Sequence, residues 1–87
     1  MPPFFADVTE ALRVVLDFQR TDRFTPDTLL ETDLGLDSGL MLELLMQLEE
    51  TIPGLKIEQG SLSHDKFRTI GTVCDYVATR VAAQETA

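Results

Sequence analysis

Eighty-seven residues with 44% hydrophobic side chains suffice for one modest core and are too apolar for a disordered acidic tail, so a single folded domain over 1–87 is expected. Fifteen acids against seven bases leave a net charge of −8, which disfavours nucleic acid and anionic membrane and points to partners with basic patches. The lone Cys74 has no internal disulfide partner and fits a reducing, cytoplasmic setting. No apolar run approaches the roughly 20 residues that span a bilayer. The opening MPPFFADVTEAL lacks the basic region and sustained apolar stretch of a signal peptide.

In chain order, Phe4, Phe5, Val8, Ala11, Leu12, Val15 and Leu16 recur at three- and four-residue steps and mark one apolar face of a first helix. Pro2 and Pro3 suit its start, while Asp7 and Glu10 have capping-box spacing that would place the start later. The helix is expected to run out near Gln19 or Arg20. Residues 21–37, TDRFTPDTLLETDLGLD, have the Pro, Gly, Thr and Asp content of a loop, yet Phe24, Leu29, Leu30, Leu34 and Leu36 are core-type side chains. That pattern predicts a long connection lying across the core, and such connections are usually functional.

A second helix is expected from about Ser38 to Thr51, stopped by Pro53-Gly54. Ser61 or Ser63 could cap a brief helical turn through Leu62 to Phe67, and Thr69 a last helix with Ile70, Val73, Cys74, Val77 and Val81 on one face. Cys74 is then a buried structural thiol and not a reactive one. Leu55–Ile57 is a weak strand signal and nothing stronger exists, so the class is all-α: three substantial helices and one short one.

At about 100° per residue, Met41, Leu44, Leu45, Leu48 and Ile52 form the core face of the second helix. Its opposite side holds Gly39, Glu43, Met46 and Glu50, flanked by Leu42 and Gln47. An outer face normally goes to polar residues, and this one keeps two apolar side chains between carboxylates. From Arg23 to Lys56 there is no base, while Asp27, Glu31, Asp33, Asp37, Glu43, Glu49 and Glu50 all fall in between. Local stability does not ask for mutually repelling acids. Docking on a basic partner does, with Met46 as an adaptable apolar contact.

Before that helix stands DLGLDSGL, residues 33–40. Asp37 or Ser38 would serve as N-cap, although neither has Glu or Gln three residues on to complete a capping box. A hydrolase elbow requires glycines at 36 and 40, where Leu36 and Leu40 stand, and His64 is the only histidine available as base. His64 is more simply an exposed residue near a helix start. A calcium loop counted from Asp33 requires Gly at position 38 and Glu at position 44, where Ser38 and Leu44 stand.

Leu34-Gly35-Leu36-Asp37-Ser38, followed by the amphipathic run Leu40 to Glu50, resembles the acyl carrier protein family. The likeness extends through Phe67-Arg68-Thr69-Ile70 and Asp75-Tyr76-Val77 and covers nearly the whole chain. It implies a small four-helix bundle with a long first loop, with Ser38 receiving 4′-phosphopantetheine from coenzyme A. It also implies partners in a phosphopantetheinyl transferase and in loading, acyltransferase, synthase or condensing enzymes with basic patches. Asp37, Gly39, Leu40, Leu42, Glu43, Met46, Gln47 and Glu50 would form the docking face of a monomer that is itself no enzyme. The helix start suits the chemistry, because its amides and dipole favour a phosphodiester anion.

Two departures bear on specificity. The family usually has a large apolar residue directly after the serine, and here it is Gly39; Leu40 or Leu42 is expected to take over part of that contact. The Phe67-Arg68-Thr69 pattern is similar to discrete carriers of peptide-synthetase or D-alanyl type, which implies aminoacyl or short peptidyl cargo over a fatty or polyketide chain. The carrier role as such implies acyl or aminoacyl intermediates of secondary metabolism, whether polyketide, fatty-acid-like or nonribosomal peptide. The competing expectation is an unmodified acidic helical adaptor using the same face.

Overall fold

The computed structural model describes residues 2–17, 24–57 and 64–85. Three α-helices and one 3₁₀ turn follow in order: α1 (Phe5–Leu16), α2 (Ser38–Thr51), the turn (His64–Phe67) and α3 (Ile70–Glu85). The all-α class expected from the sequence is what forms. Gln19, Arg20, the proposed caps Ser61 and Ser63, and the His64 side chain lie outside the described residues.

Helix α1 starts earlier than a capping box at Asp7 would have it and ends before Gln19. Phe4 takes the N-cap position in the left-handed region (φ 63°) without a side-chain cap, and Asp7 falls in the first turn, where a carboxylate favours the helix dipole. At the other end Asp17 adopts a left-handed cap (φ 56°) and its N–H reaches back to the Arg13 and Val14 carbonyls. A short polar side chain tolerates that conformation, so the helix closes at Leu16.

The loop behaves as most of its apolar residues predict. Phe24, Leu30 and Leu36 are buried within a hydrophobic cluster, with Leu34 partly buried against it, whereas Leu29, also a core-type residue, is only half-buried. The same cluster takes Val8, Ala11 and Leu12 from α1, Leu44, Leu45 and Leu48 from α2, and Ile70, Val73, Cys74 and Val77 from α3. Met41, expected in the core, is only partly buried at its edge. Helix α1 packs against both α2 and α3, and the 3₁₀ turn packs against α3. There Phe67 meets Tyr76 with ring centroids 5.4 Å apart, and Lys66 Nζ sits 5.1 Å from the Tyr76 centroid.

Thr69 is the expected cap of α3, and its partner is a second threonine. Thr72 N–H donates to Thr69 Oγ1 at 3.1 Å, and Thr69 N–H donates to Thr72 Oγ1 at 3.0 Å. This is the reciprocal pattern of a capping box, with threonine in the usual place of glutamate. Among the described residues no strand forms. Leu55–Ile57 is irregular, with Ile57 N–H donating to Glu49 Oε2 at 2.9 Å, and the one bridge is the isolated antiparallel pair Leu29–Thr69. Among the described residues no helix is long and apolar enough to cross a membrane.

Candidate functional site

The loop delivers Ser38 in three steps. Gly35 turns the chain in the left-handed region (φ 70°), which glycine adopts without steric cost. Leu36 then drops into the core, and Asp37 follows in extended geometry. Asp37 Oδ1 accepts the Leu40 N–H at 2.8 Å, so Asp37 is the N-cap and Ser38 is the first helical residue, its side chain exposed. Of the two caps the sequence allowed, the structure selects the aspartate. A Cβ at Gly39 would meet only Asp37 Oδ1, at 3.4 Å, so the surface beside the serine is open.

Around this hydroxyl the outer face of α2 is largely as expected. Asp37, Gly39, Leu42, Glu43, Met46 and Glu50 are exposed, with Leu42 at 51% and Met46 at 65%. Two residues are less available. Leu40 is partly buried against the core, and Gln47 is half-buried with Nε2 reaching Thr51 Oγ1 at 3.4 Å. Of Leu40 and Leu42, the two residues expected to compensate for Gly39, Leu42 is the more exposed.

The expectation that local stability makes no use of the acids is corrected for three of them. Asp37 caps α2, Asp33 Oδ2 accepts the Leu29 N–H at 2.9 Å, and Glu49 accepts the Ile57 N–H. Each carboxylate satisfies a backbone donor that the loop geometry would otherwise leave to water. Glu43 and Glu50 have no hydrogen bond or ion pair among the described residues, so their charge is directed outward. Cys74 is fully buried, and that desolvation pushes its thiol up to about 11, with the Asp75 charge adding to it.

A helical bundle that holds one serine hydroxyl outside, at the start of an acid-rimmed helix with an exposed apolar pair, has the form of a protein that presents an attached group to others. Comparison with known proteins agrees. The family model for the phosphopantetheine attachment site matches residues 6–77, and the chain belongs to that family. It is 35% identical over 82 residues to acyl carrier protein 2, mitochondrial, from Arabidopsis thaliana, with 91% of this chain and 63% of that protein covered. The chain thus spans less than two thirds of that relative's length.

The family's cofactor is 4′-phosphopantetheine, held covalently, and the residues present suit it. An exposed hydroxyl is available, the neighbouring position has no side chain, and the N-terminal end of a 14-residue helix favours the phosphate charge.

Proposed function

We propose that Ser38 is the attachment residue and that the chain holds acyl or aminoacyl intermediates and passes them between biosynthetic enzymes. The observation that carries this is the exposed Ser38 at the first position of α2, directly after the Asp37 cap, inside the family match. In the transfer, Ser38 Oγ attacks the phosphorus bearing the pantetheine of coenzyme A. A new O–P bond forms, the pyrophosphate P–O bond breaks, adenosine 3′,5′-bisphosphate leaves, and the serine proton passes to a base on the transferase. When bound, the group supplies a terminal thiol that holds cargo as a thioester. The chain's own residues expose the hydroxyl, cap the helix behind it and offer the docking face. On this reading it is the substrate of other enzymes and not a catalyst.

The partners are a phosphopantetheinyl transferase and loading, acyltransferase, synthase or condensing enzymes whose basic patches meet Glu43 and Glu50 while an apolar pocket takes Leu42 and Met46. Asp37, Gly39, Leu40 and Gln47 complete the face. The cargo we favour is aminoacyl or short peptidyl, in secondary metabolism. It rests on the likeness of Phe67-Arg68-Thr69 to discrete carriers of that kind, although Phe67 packs in the core and Thr69 caps α3. The buried thiol suits a reducing compartment, cytoplasmic on this reading, whereas the plant relative's name is mitochondrial.

Incubation with coenzyme A and a phosphopantetheinyl transferase tests the proposal. A mass gain of one arm, abolished in Ser38→Ala, is expected. No gain with several transferases would favour the unmodified adaptor, for which the exposed Leu42 and Met46 speak.

A further inference from the structure

The loop that ends at Ser38 is fastened at its other end to the first turn of α3. Gly71 N–H donates to the Pro26 carbonyl at 2.8 Å, Ile70 N–H to the Thr28 carbonyl at 3.1 Å, and Leu30 N–H to the Arg68 carbonyl at 3.0 Å. The first four amides of α3 are thereby all used, two by the loop, one by the Thr69 hydroxyl and one by the Thr69 carbonyl. Gly71 is what permits the approach. A Cβ at that position would lie 2.9 Å from the Pro26 carbonyl oxygen and 3.3 Å from Pro26 Cβ, closer than packed side chains tolerate against backbone.

From this clasp the order runs on to the serine. Asp33 holds Leu29, Leu34 N–H donates to the Leu29 carbonyl at 3.2 Å, and Leu36 N–H donates to the Leu30 carbonyl at 3.0 Å. Leu30 and Leu36 are buried, and the residue after Leu36 is the cap of α2. The first turn of α2 needs this support. It contains a glycine at its second position, a residue of weak helix propensity, and no capping box.

We propose that Gly71 is a positioning residue for the modification of Ser38. By letting α3 close on Pro26, it holds the loop, and through Leu30, Leu36 and Asp37 the first turn of α2, in the geometry a phosphopantetheinyl transferase engages. The inference rests on Ser38 being the attachment residue.

The test measures modification kinetics of the full chain with coenzyme A and a phosphopantetheinyl transferase, well below the melting temperature of every variant. Gly71→Ala is expected to lower kcat/KM by about fivefold or more. Val8→Ala, a core truncation on α1, is expected to lower the melting temperature without that loss. Adding Gly39→Ala to Gly71→Ala strengthens the first turn of α2 directly and is expected to recover part of the rate. Wild-type kinetics in folded Gly71→Ala, or an equal loss in Val8→Ala, overturns the inference while leaving the attachment site standing. Modification that persists in Ser38→Ala overturns both. Should Gly71→Ala not fold, hydrogen exchange of the wild-type protein decides. Matching opening free energies for the Gly71, Leu36 and Leu40 amides support one coupled unit, and a Leu40 amide that opens independently overturns it.

Discussion

Removing the Asp37 carboxylate separates the two jobs of the segment before α2, holding the helix and presenting the serine. In Asp37→Ala the Leu40 N–H loses its 2.8 Å acceptor. Loss of an aspartate cap costs about 1 kcal/mol, within a range of about 0.5–2. A negative charge at the N-terminal end of a helix contributes a further few tenths of a kcal/mol at an exposed site. With Gly39 in the same turn there is little local propensity to compensate. In a domain of this size about 1 kcal/mol corresponds to roughly 4–8 °C in Tm, so a fall in that range is expected by circular dichroism. Asp37→Asn, which keeps the acceptor, should retain most of the stability. If Asp37→Ala melts with the wild type, the cap contributes nothing and the ordering of Ser38 must come from elsewhere. If Asn falls as far as Ala, charge and not the hydrogen bond is the cause.

Leu42→Asp and Met46→Asp replace side chains that are 51% and 65% exposed, so each should leave Tm nearly unchanged while slowing loading by a basic partner enzyme about tenfold or more; unaltered loading kinetics would remove this face from the docking surface. Gly39→Leu meets no obstacle beyond Asp37 Oδ1 at 3.4 Å and should fold, with transfer rates that change differently from one partner enzyme to the next; if every rate stays the same, the glycine selects no partner. Cys74, buried and pushed up to about 11, should resist alkylation near pH 8 until the chain is unfolded by denaturant, and prompt labelling of the native protein would contradict its burial. Because its folded value lies above the ordinary 9.0, its contribution to stability is present below about pH 9 and lost as pH rises toward about 11; Cys74→Ala should flatten that decline in denaturant titrations.

Much of this fold follows from periodicity. The core face of α2 and the apolar face of α3 were legible because residues three and four apart share a side of a helix. The helix ends were less so. Asp17 closes α1 by adopting a left-handed cap, a choice no spacing rule encodes. The Thr69–Thr72 pair does the work of a capping box without the glutamate that signals one. That Ser38 stands exposed at the start of α2 was legible because an Asp-Ser pair precedes an amphipathic run. The role of Asp33 and Glu49 as acceptors for backbone N–H was not, because in sequence they are two more acids in a base-free run. Least visible was Gly71. Inside a helical pattern it looks like a mild defect, and only the Pro26 carbonyl 2.9 Å from its missing Cβ shows why it stands there.

The most direct measurement is peptide-level mass spectrometry of the protein after reaction with coenzyme A and a phosphopantetheinyl transferase. A single phosphopantetheine located on Ser38, and none on Ser38→Ala, is the predicted result. An arm found on any other residue, or a wild-type chain that stays unmodified alongside a carrier that reacts in the same mixture, would contradict it.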